Sequence, residues 1–323
     1  MSGSPRVSAV VLNYNGAELL EIVLPSLAAQ TYDGVEVVVV DNGSSDDSMR
    51  YLQEHWPAVR AVSTGPRNVG VAAALNVAVM SSRGELIALL NNDIELEPDW
   101  LEQLVAAIDR HPDAAAVAGK TLNYWRRDEL DGAGDLFSSA ATPLRRGLGE
   151  LDQGQYDAEE EVFSATAGAA LYRRDALEDV GAFDESFVAY LEDADWGLRA
   201  QLAGYRAWYV PSAVAYHMGG GTTGGDSSSF YYALLRRNTI AVLIKDVPAR
   251  FIWRNARHIA CHHIFGLIDS ARRRRLGSHL RALAGVMRNG PGWLRARRSI
   301  LQCRRIDLAD FERRVSAGRG AAR

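Results

Sequence analysis

The sequence predicts a doubly wound α/β fold with a mostly parallel sheet, and three observations predict it. Short runs rich in Val, Leu and Ile recur through the first part of the chain, helical periodicity follows each, and polar Asn, Asp and Gly clusters fall where a run ends. Strands and helices alternating at these lengths call for parallel strands joined by right-handed crossovers. In such sheets ligands bind beyond the carboxyl ends of the strands.

Val7 to Leu12 is the first strand, Asn13-Tyr14-Asn15-Gly16 its polar exit, and Leu19, Leu20, Val23, Leu24 and Leu27 mark the apolar face of the helix that follows. Val35 to Val40 reads as a strand buried on both faces and stops at Asp41-Asn42-Gly43-Ser44-Ser45-Asp46-Asp47, ahead of a helix over Ser48 to His55. A third unit comprises Val59 to Ser63, the turn from Gly65 to Gly70, and a helix from Val71 to Ser81. Leu86 to Leu90 is the fourth strand and ends in Asn91-Asn92-Asp93; Glu97-Pro98-Asp99 opens a helix over Trp100 to Asp109. Residues 123–161 show little periodicity and read as irregular structure or a short hairpin excursion, a candidate acceptor loop. Regularity returns over Phe163 to Tyr172, followed by a helix at Arg174 to Val180, a turn at Gly181 to Asp184, a helix at Ala194 to Gly204 and strands at Tyr205 to Val210 and Ala213 to Tyr216. Gly219 to Asp226 reads as a flexible loop, and from Phe230 the chain is helical and increasingly basic.

The net charge of −4 hides an asymmetry. Residues 245–323 carry 19 Lys and Arg against 5 Asp and Glu, whereas residues 1–244 carry 17 against 35. The acidic body would repel a polyanion, which argues against nucleic acid, while the basic tail suits an anionic membrane or a pyrophosphate-bearing lipid. The organisation expected is a body over 1–244, with a nucleotide-binding half to about 120 and an acceptor half from about 121, and a basic helical region over 245–323. Phe251, Trp253, Ile264, Phe265 and Trp293 are interleaved in that tail and make peripheral membrane contact an expectation; association into a homo-oligomer is left open. The apolar stretch His258 to Ile268 is about half the ~20 residues that span a bilayer, so no transmembrane helix is expected. The N-terminus lacks the charged and apolar segments of a secretory leader, and two isolated cysteines, Cys261 and Cys303, fit a reducing cytoplasm.

Four clusters can carry chemistry. Asp93, preceded by two amides at a strand end, can hold a divalent cation through oxygen. Asp41 can accept hydrogen bonds from a base imide or a ribose hydroxyl. Glu192, Asp193 and Asp195 crowd three carboxylates beside Trp196, which can raise one of them into the range of a general base. His217, after the acidic cluster and just before the glycine loop, can serve as a metal ligand. Neither a Gly-x-Gly-x-x-Gly fingerprint nor a Gly-Lys-Ser/Thr loop is present, which disfavours dinucleotide binding and ATP hydrolysis.

Together these motifs resemble the inverting family-2 glycosyltransferases of GT-A fold over Ser8 to Ile244. The resemblance rests on Val10-Val11-Leu12-Asn13-Tyr14-Asn15, Val40-Asp41-Asn42-Gly43-Ser44-Ser45-Asp46, Arg67-Asn68-Val69-Gly70, Asn91-Asn92-Asp93 and Glu192-Asp193-Ala194-Asp195-Trp196-Gly197-Leu198-Arg199 in that order. Tyr216-His217-Met218 with Arg236-Arg237-Asn238 looks most like the rhamnosyl- and galactofuranosyltransferase branch. The resemblance implies a nucleotide diphosphate sugar donor, with dTDP-rhamnose ahead of a UDP-sugar, a glycan or lipid-linked acceptor, and a divalent cofactor, Mg²⁺ or Mn²⁺. It implies that Asn13 and Asp41 contact the nucleoside, that Arg67 and Asn68 lie near the base or phosphates, and that Asn91, Asn92 and Asp93 approach the ribose and metal, Asn91 standing where the family's motif usually has its first aspartate. His217 would be a second metal ligand and Asp193 the base, with Glu192 and Asp195 as alternatives and Asp195, Trp196 and Arg199 walling the acceptor site. A sugar-phosphate nucleotidyltransferase would need a glycine-rich, basic loop where Asn13-Tyr14-Asn15-Gly16 stands; a non-catalytic nucleotide-sugar-binding protein is the other alternative.

Overall fold

A computed structural model describes residues 5–219 and 228–317, so most of the expected Gly219 to Asp226 loop lies outside the described residues. The first half alternates β1 (Val7–Asn13), α1 (Ala17–Ala28), β2 (Glu36–Asp41), α2 (Ser48–His55), β3 (Arg60–Ser63), α3 (Val71–Ser81) and β4 (Leu86–Asn91). A short β5 (Ile94–Leu96) and α4 (Trp100–Arg110) lead into the long β6 (Ala114–Asn123). Residues 123–161 are not shapeless: they form β7 (Leu130–Gly132), β8 (Asp135–Phe137), β9 (Pro143–Arg145) and β10 (Glu160–Val162), with β8 and β9 paired as the expected hairpin. Then come β11 (Ala169–Arg173), α5 (Arg174–Val180), a 3-10 turn (Glu185–Phe187), α6 (Glu192–Leu202) and β12 (Arg206–His217). The basic region folds as α7 (Ser229–Lys245), α8 (Ala249–Arg254), α9 (Ala256–Arg272), α10 (Leu276–Gln302) and α11 (Leu308–Ala317).

The sheet runs β10-β12-β6-β11-β4-β1-β2-β3. β1 pairs in parallel with β2 and β4, and β12 in parallel with β6; β11 enters antiparallel between β4 and β6 and joins the two parallel parts. The two expected strands at 205–210 and 213–216 are one strand, because β12 bulges between Val210 and Val214 and then resumes its pairing with β6. The parallel half is apolar on both faces, as continuous Val and Leu runs require. Ala9 and Val11 pack with α1 and α4, while Val10 and Val38 pack with α3 across the sheet.

The C-terminal helices share a core with the second half of the body: Phe187, Leu198 and Leu202 pack with Val242, Phe251, Trp293 and Phe311. Phe251 and Trp293, expected among the membrane-facing aromatics, are therefore core residues, 1% and 2% exposed, whereas Trp253, Ile264 and Phe265 point outward.

Candidate functional site

Parallel pairing brings the carboxyl ends of β1, β2 and β4 side by side, with Asn13 opposite Asp41 and Leu12 opposite Asn91. Asn13, Asp41, Asn92 and Asp93 are all buried and polar. Asn13, Asp41 and Asn92 are tied together: the Asn13 amide donates to Asp41 Oδ1 at 3.3 Å, the Asn92 amide donates to Asn13 Oδ1 at 2.9 Å, and Ser44 N donates to Asp41 Oδ2 at 3.1 Å. Asn42, absent from the predicted set, ties the next loop in by donating to Asn68 Oδ1 and the Gly70 carbonyl and accepting from Val69 N. Gly43 is needed here: its φ is +77°, and a Cβ would stand 2.4 Å from the Arg67 carbonyl carbon. Arg67 and Asn68 thus sit on an exposed loop pressed against the strand-end cluster.

Asp93 and His217 meet across the β5/β12 pairing, where His217 lies opposite Ile94. His217 Nε2 is 3.4 Å from Asp93 Oδ2, and its Nδ1 is 3.0 Å from Asp131 Oδ2, a carboxylate that also accepts from Arg145 Nη1 at 2.9 Å. Burial would lower the imidazole pKa, but the carboxylates of Asp131 and Asp93 outweigh it and push it up to about 9. An imidazole with a carboxylate on its second nitrogen has the orientation of a metal ligand, once a cation has displaced that proton. Among the described residues no group of three His, Cys, Asp or Glu side chains is arranged to hold a metal ion. A carboxylate plus an imidazole nevertheless fits a divalent ion that takes its remaining ligands from water and a diphosphate.

Part of this set opens on one cleft, with Asp93 and Asp193 standing outside its lining. Asn91, Thr121, Asp131, Arg145, Thr166 and His217 line it, with Gly132, Gly134 and Gly168 keeping its walls low. The segment Thr166-Ala167-Gly168 joins its two sides. Thr166 Oγ1 donates to Asp135 Oδ2 at 3.1 Å, Ala167 N donates to Asp193 Oδ2 at 3.1 Å, and the Gly168 carbonyl accepts from Asn91 N at 2.9 Å. Asp193 is the part-exposed member of the acidic cluster; Glu192 is buried with Oε2 unpartnered, and Asp195 is 0% exposed. Burial raises the Asp193 pKa, opposed by the amides of Ala167 and Ala194 and by Arg145. Burial and the neighbouring Asp193 push Asp135 up to about 7 and Glu192 up to about 8.

Asp195, Trp196 and Arg199 do not wall this cleft. Helical spacing turns them inward: Asp195 is paired with Lys245 and with Arg199 Nε, the Trp196 indole donates to the Gly181 carbonyl and packs on Tyr172 and Phe183, and Arg199 donates to the carbonyls of Val180 and Ala182. They are structural.

The approach to α6 was not legible. Val188, Tyr190 and Leu191 all have positive φ, 65°, 68° and 64°, at a cost of order 1–3 kcal/mol each. At Val188 the backbone makes a γ-turn, Ala189 N donating to the Phe187 carbonyl at 2.8 Å. Asn238, 0% exposed, holds this segment by directing its amide at the carbonyls of Phe187, Ala189 and Tyr190, and Arg237 donates to those of Ser186 and Phe187. On the other side the Val188 carbonyl accepts from Ala72 N and would lie 2.8 Å from any Cβ at Gly70. The loop that sets α6, and with it Asp193, is thus wedged between the donor-side loop and α7. Asp131 and Asp135 were missed as well; their one signal is the run Asp131-Gly132-Ala133-Gly134-Asp135, two carboxylates around small residues.

Buried amides and carboxylates at the strand ends, a His–Asp pair beside them and a further carboxylate held by the 166–168 segment are the arrangement of an α/β group-transfer enzyme. Comparison with known proteins makes this specific: the chain belongs to glycosyl transferase family 2, whose sequence profile matches residues 8–181. It is 32% identical over 213 residues, 63% of this chain, to the O-antigen biosynthesis protein RfbC of Myxococcus xanthus, and spans only 16% of that protein. It is 29% identical over 238 residues to the N-acetylglucosaminyl-diphospho-decaprenol L-rhamnosyltransferase of Mycobacterium tuberculosis, covering 64% of this chain and 74% of the relative. Among solved structures it resembles the mannosyltransferase PcManGT of Pyrobaculum calidifontis in complex with GDP-Man and Mn²⁺, at a TM-score of 0.54 and 19% identity over 94% of this chain and 86% of that one. These neighbours are GT-A glycosyltransferases and establish the fold.

Proposed function

We propose that the chain moves one sugar, with inversion, from a nucleoside diphosphate donor to a hydroxyl of a glycan or lipid-linked acceptor in cell-surface polysaccharide synthesis on the cytoplasmic side of the membrane. The observation that carries this reading is the Thr166-Ala167-Gly168 bridge, which sets the Asp193 carboxylate beside the strand end bearing Asn91 and, two residues on, Asp93. Asn13 and Asp41 hold the nucleoside, while Arg67 and Asn68 reach over it toward the phosphates. Asp193 takes the acceptor proton; burial lifts its affinity for that proton while its two amide bonds fix its direction. Glu192 and Asp195 are less suited, being closed off from a substrate.

Asp93 and His217 would hold Mg²⁺ or Mn²⁺, whose chemistry when bound is to neutralise charge on the diphosphate leaving group. Asp131 and Arg145 orient His217. dTDP-rhamnose is the first donor to test, given the likeness to an L-rhamnosyltransferase, and a UDP-sugar the second. Purified protein is screened against nucleotide sugars by thermal shift with and without Mn²⁺, and positive donors are assayed for transfer. One nucleotide diphosphate sugar is expected to raise Tm only with the metal; stabilisation by none of them, or equal stabilisation in EDTA, sinks the assignment.

A further inference from the structure

α10 repeats an apolar residue followed by arginine every seven positions: Leu280-Arg281, Met287-Arg288 and Leu294-Arg295. Seven residues are close to two helical turns, so the three pairs share one side. That side faces outward, with Leu280 64%, Met287 74% and Leu294 57% exposed, while Ala282 and Trp293 on the other side are 2% exposed. A helix on a water-facing surface carries its polar residues outward; α10 does the reverse with its aliphatics and contains five arginines and no acidic residue in 27 positions. α9 repeats the arrangement, with Ile264, Phe265 and Ile268 exposed opposite the buried Ile259, Gly266 and Ser270.

Two occupants could cover such a face, a second copy of the chain or a lipid surface. Pairing α10 with itself would bring two acid-free arginine rows together with nothing on either helix to answer them. An anionic bilayer answers both halves of the repeat: the headgroup boundary takes the aliphatic side chains and lipid phosphates take the guanidinium groups. None of the described helices is long and apolar enough to cross a membrane, so the fit is to a helix lying in the interface.

We propose that the outward face of α9 and α10 is a docking surface for an anionic lipid bilayer, with Leu280, Met287 and Leu294 entering the headgroup region and Arg281, Arg288 and Arg295 bound to phosphates. It deepens the reading of a lipid-linked acceptor but stands on this face alone, and would hold even if the acceptor were a soluble glycan.

The test is co-sedimentation of the full chain with vesicles of phosphatidylcholine alone and of phosphatidylcholine with about one third phosphatidylglycerol. Partition onto the anionic vesicles should be at least about tenfold stronger and should fall steeply with added salt. The triple variant L280S/M287S/L294S should lose roughly tenfold of that partition, and R281Q/R288Q/R295Q should lose the preference for phosphatidylglycerol. All six positions lie on the helix surface, and unchanged melting temperature and circular dichroism confirm that the fold survives. Equal partition onto both vesicle types, or serine and glutamine variants that bind like the parent, overturns the proposal. So does a dimer in light scattering that the serine variant converts to monomer, since the face would then belong to a second copy.

Discussion

The donor side and the acceptor side of the cleft are built in different ways. On the donor side Asn13, Asp41 and Asn91 end adjacent parallel strands, so strand pairing alone places them and their own amides and carboxylates finish the arrangement. On the acceptor side Asp193 begins a helix whose approach contains three non-glycine residues of positive φ, held only because α3, α7 and the 166–168 segment press on it from separate parts of the chain. A site made by strand ends is locally cheap and robust; one held in strain by distant contacts can be loosened from far away.

The sharpest way to break this comparison is at Asp193. Asp193→Asn keeps size and can still accept from Ala167 N, so turnover is expected to fall by ~10²–10⁴ while donor affinity stays put. Steady-state kinetics with donor binding by calorimetry measures both, and turnover within a few fold of the parent would remove the residue from the chemistry. Next comes Asn238→Ala, at a side chain wholly buried behind the loop. It strips the carbonyls of Phe187, Ala189 and Tyr190 of a shared donor, so kcat should drop by about 10² as Asp193 loses its placement, with the KM for donor unchanged. A matching rise in donor KM would show instead that the whole sheet end had loosened.

On the donor side the analogous lever is milder. Asp131→Asn leaves an acceptor for His217 but removes the charge that makes the imidazole a good ligand, and the Mn²⁺ dependence of donor binding should shift by roughly 10- to 100-fold, with excess metal restoring activity. An unchanged Mn²⁺ titration would place the metal elsewhere.

How much of this could be read from the sequence follows from the same contrast. Asn13, Asp41, Asn92 and Asp93 were legible because each belongs to the polar cluster that directly follows an apolar run, and a parallel sheet gathers such ends by topology. Asp131 and Asp135 were not, because residues 123–161 are short strands whose placement depends on pairing with β6 and with one another, and no local periodicity announces that. For α6 the sequence exposed the carboxylates but not their facing: Leu191 starts the helix in a left-handed conformation, and that rotation sends Asp195, Trp196 and Arg199 into the core. Nothing in Glu192 to Arg199 taken alone encodes a start fixed by Asn238, whose bond to the Tyr190 carbonyl spans 48 residues.

The smallest effect concerns Glu192, a buried carboxyl next to Asp193 with one oxygen unpartnered. Its pKa in the folded chain is about 8, above the ordinary carboxylate value of 4.5, first through burial and then through repulsion from Asp193. A group whose folded pKa is raised stabilises the fold while it stays protonated, and that contribution is lost as pH rises from about 4.5 through about 8. Glu192→Gln removes the titration and keeps the shape. The variant should melt close to the parent at pH 5 and several degrees above it at pH 9, the gap opening across that window. A gap that is constant with pH would mean that Glu192 is not held protonated beside Asp193, and that the acidic start of α6 is more hydrated than its burial indicates.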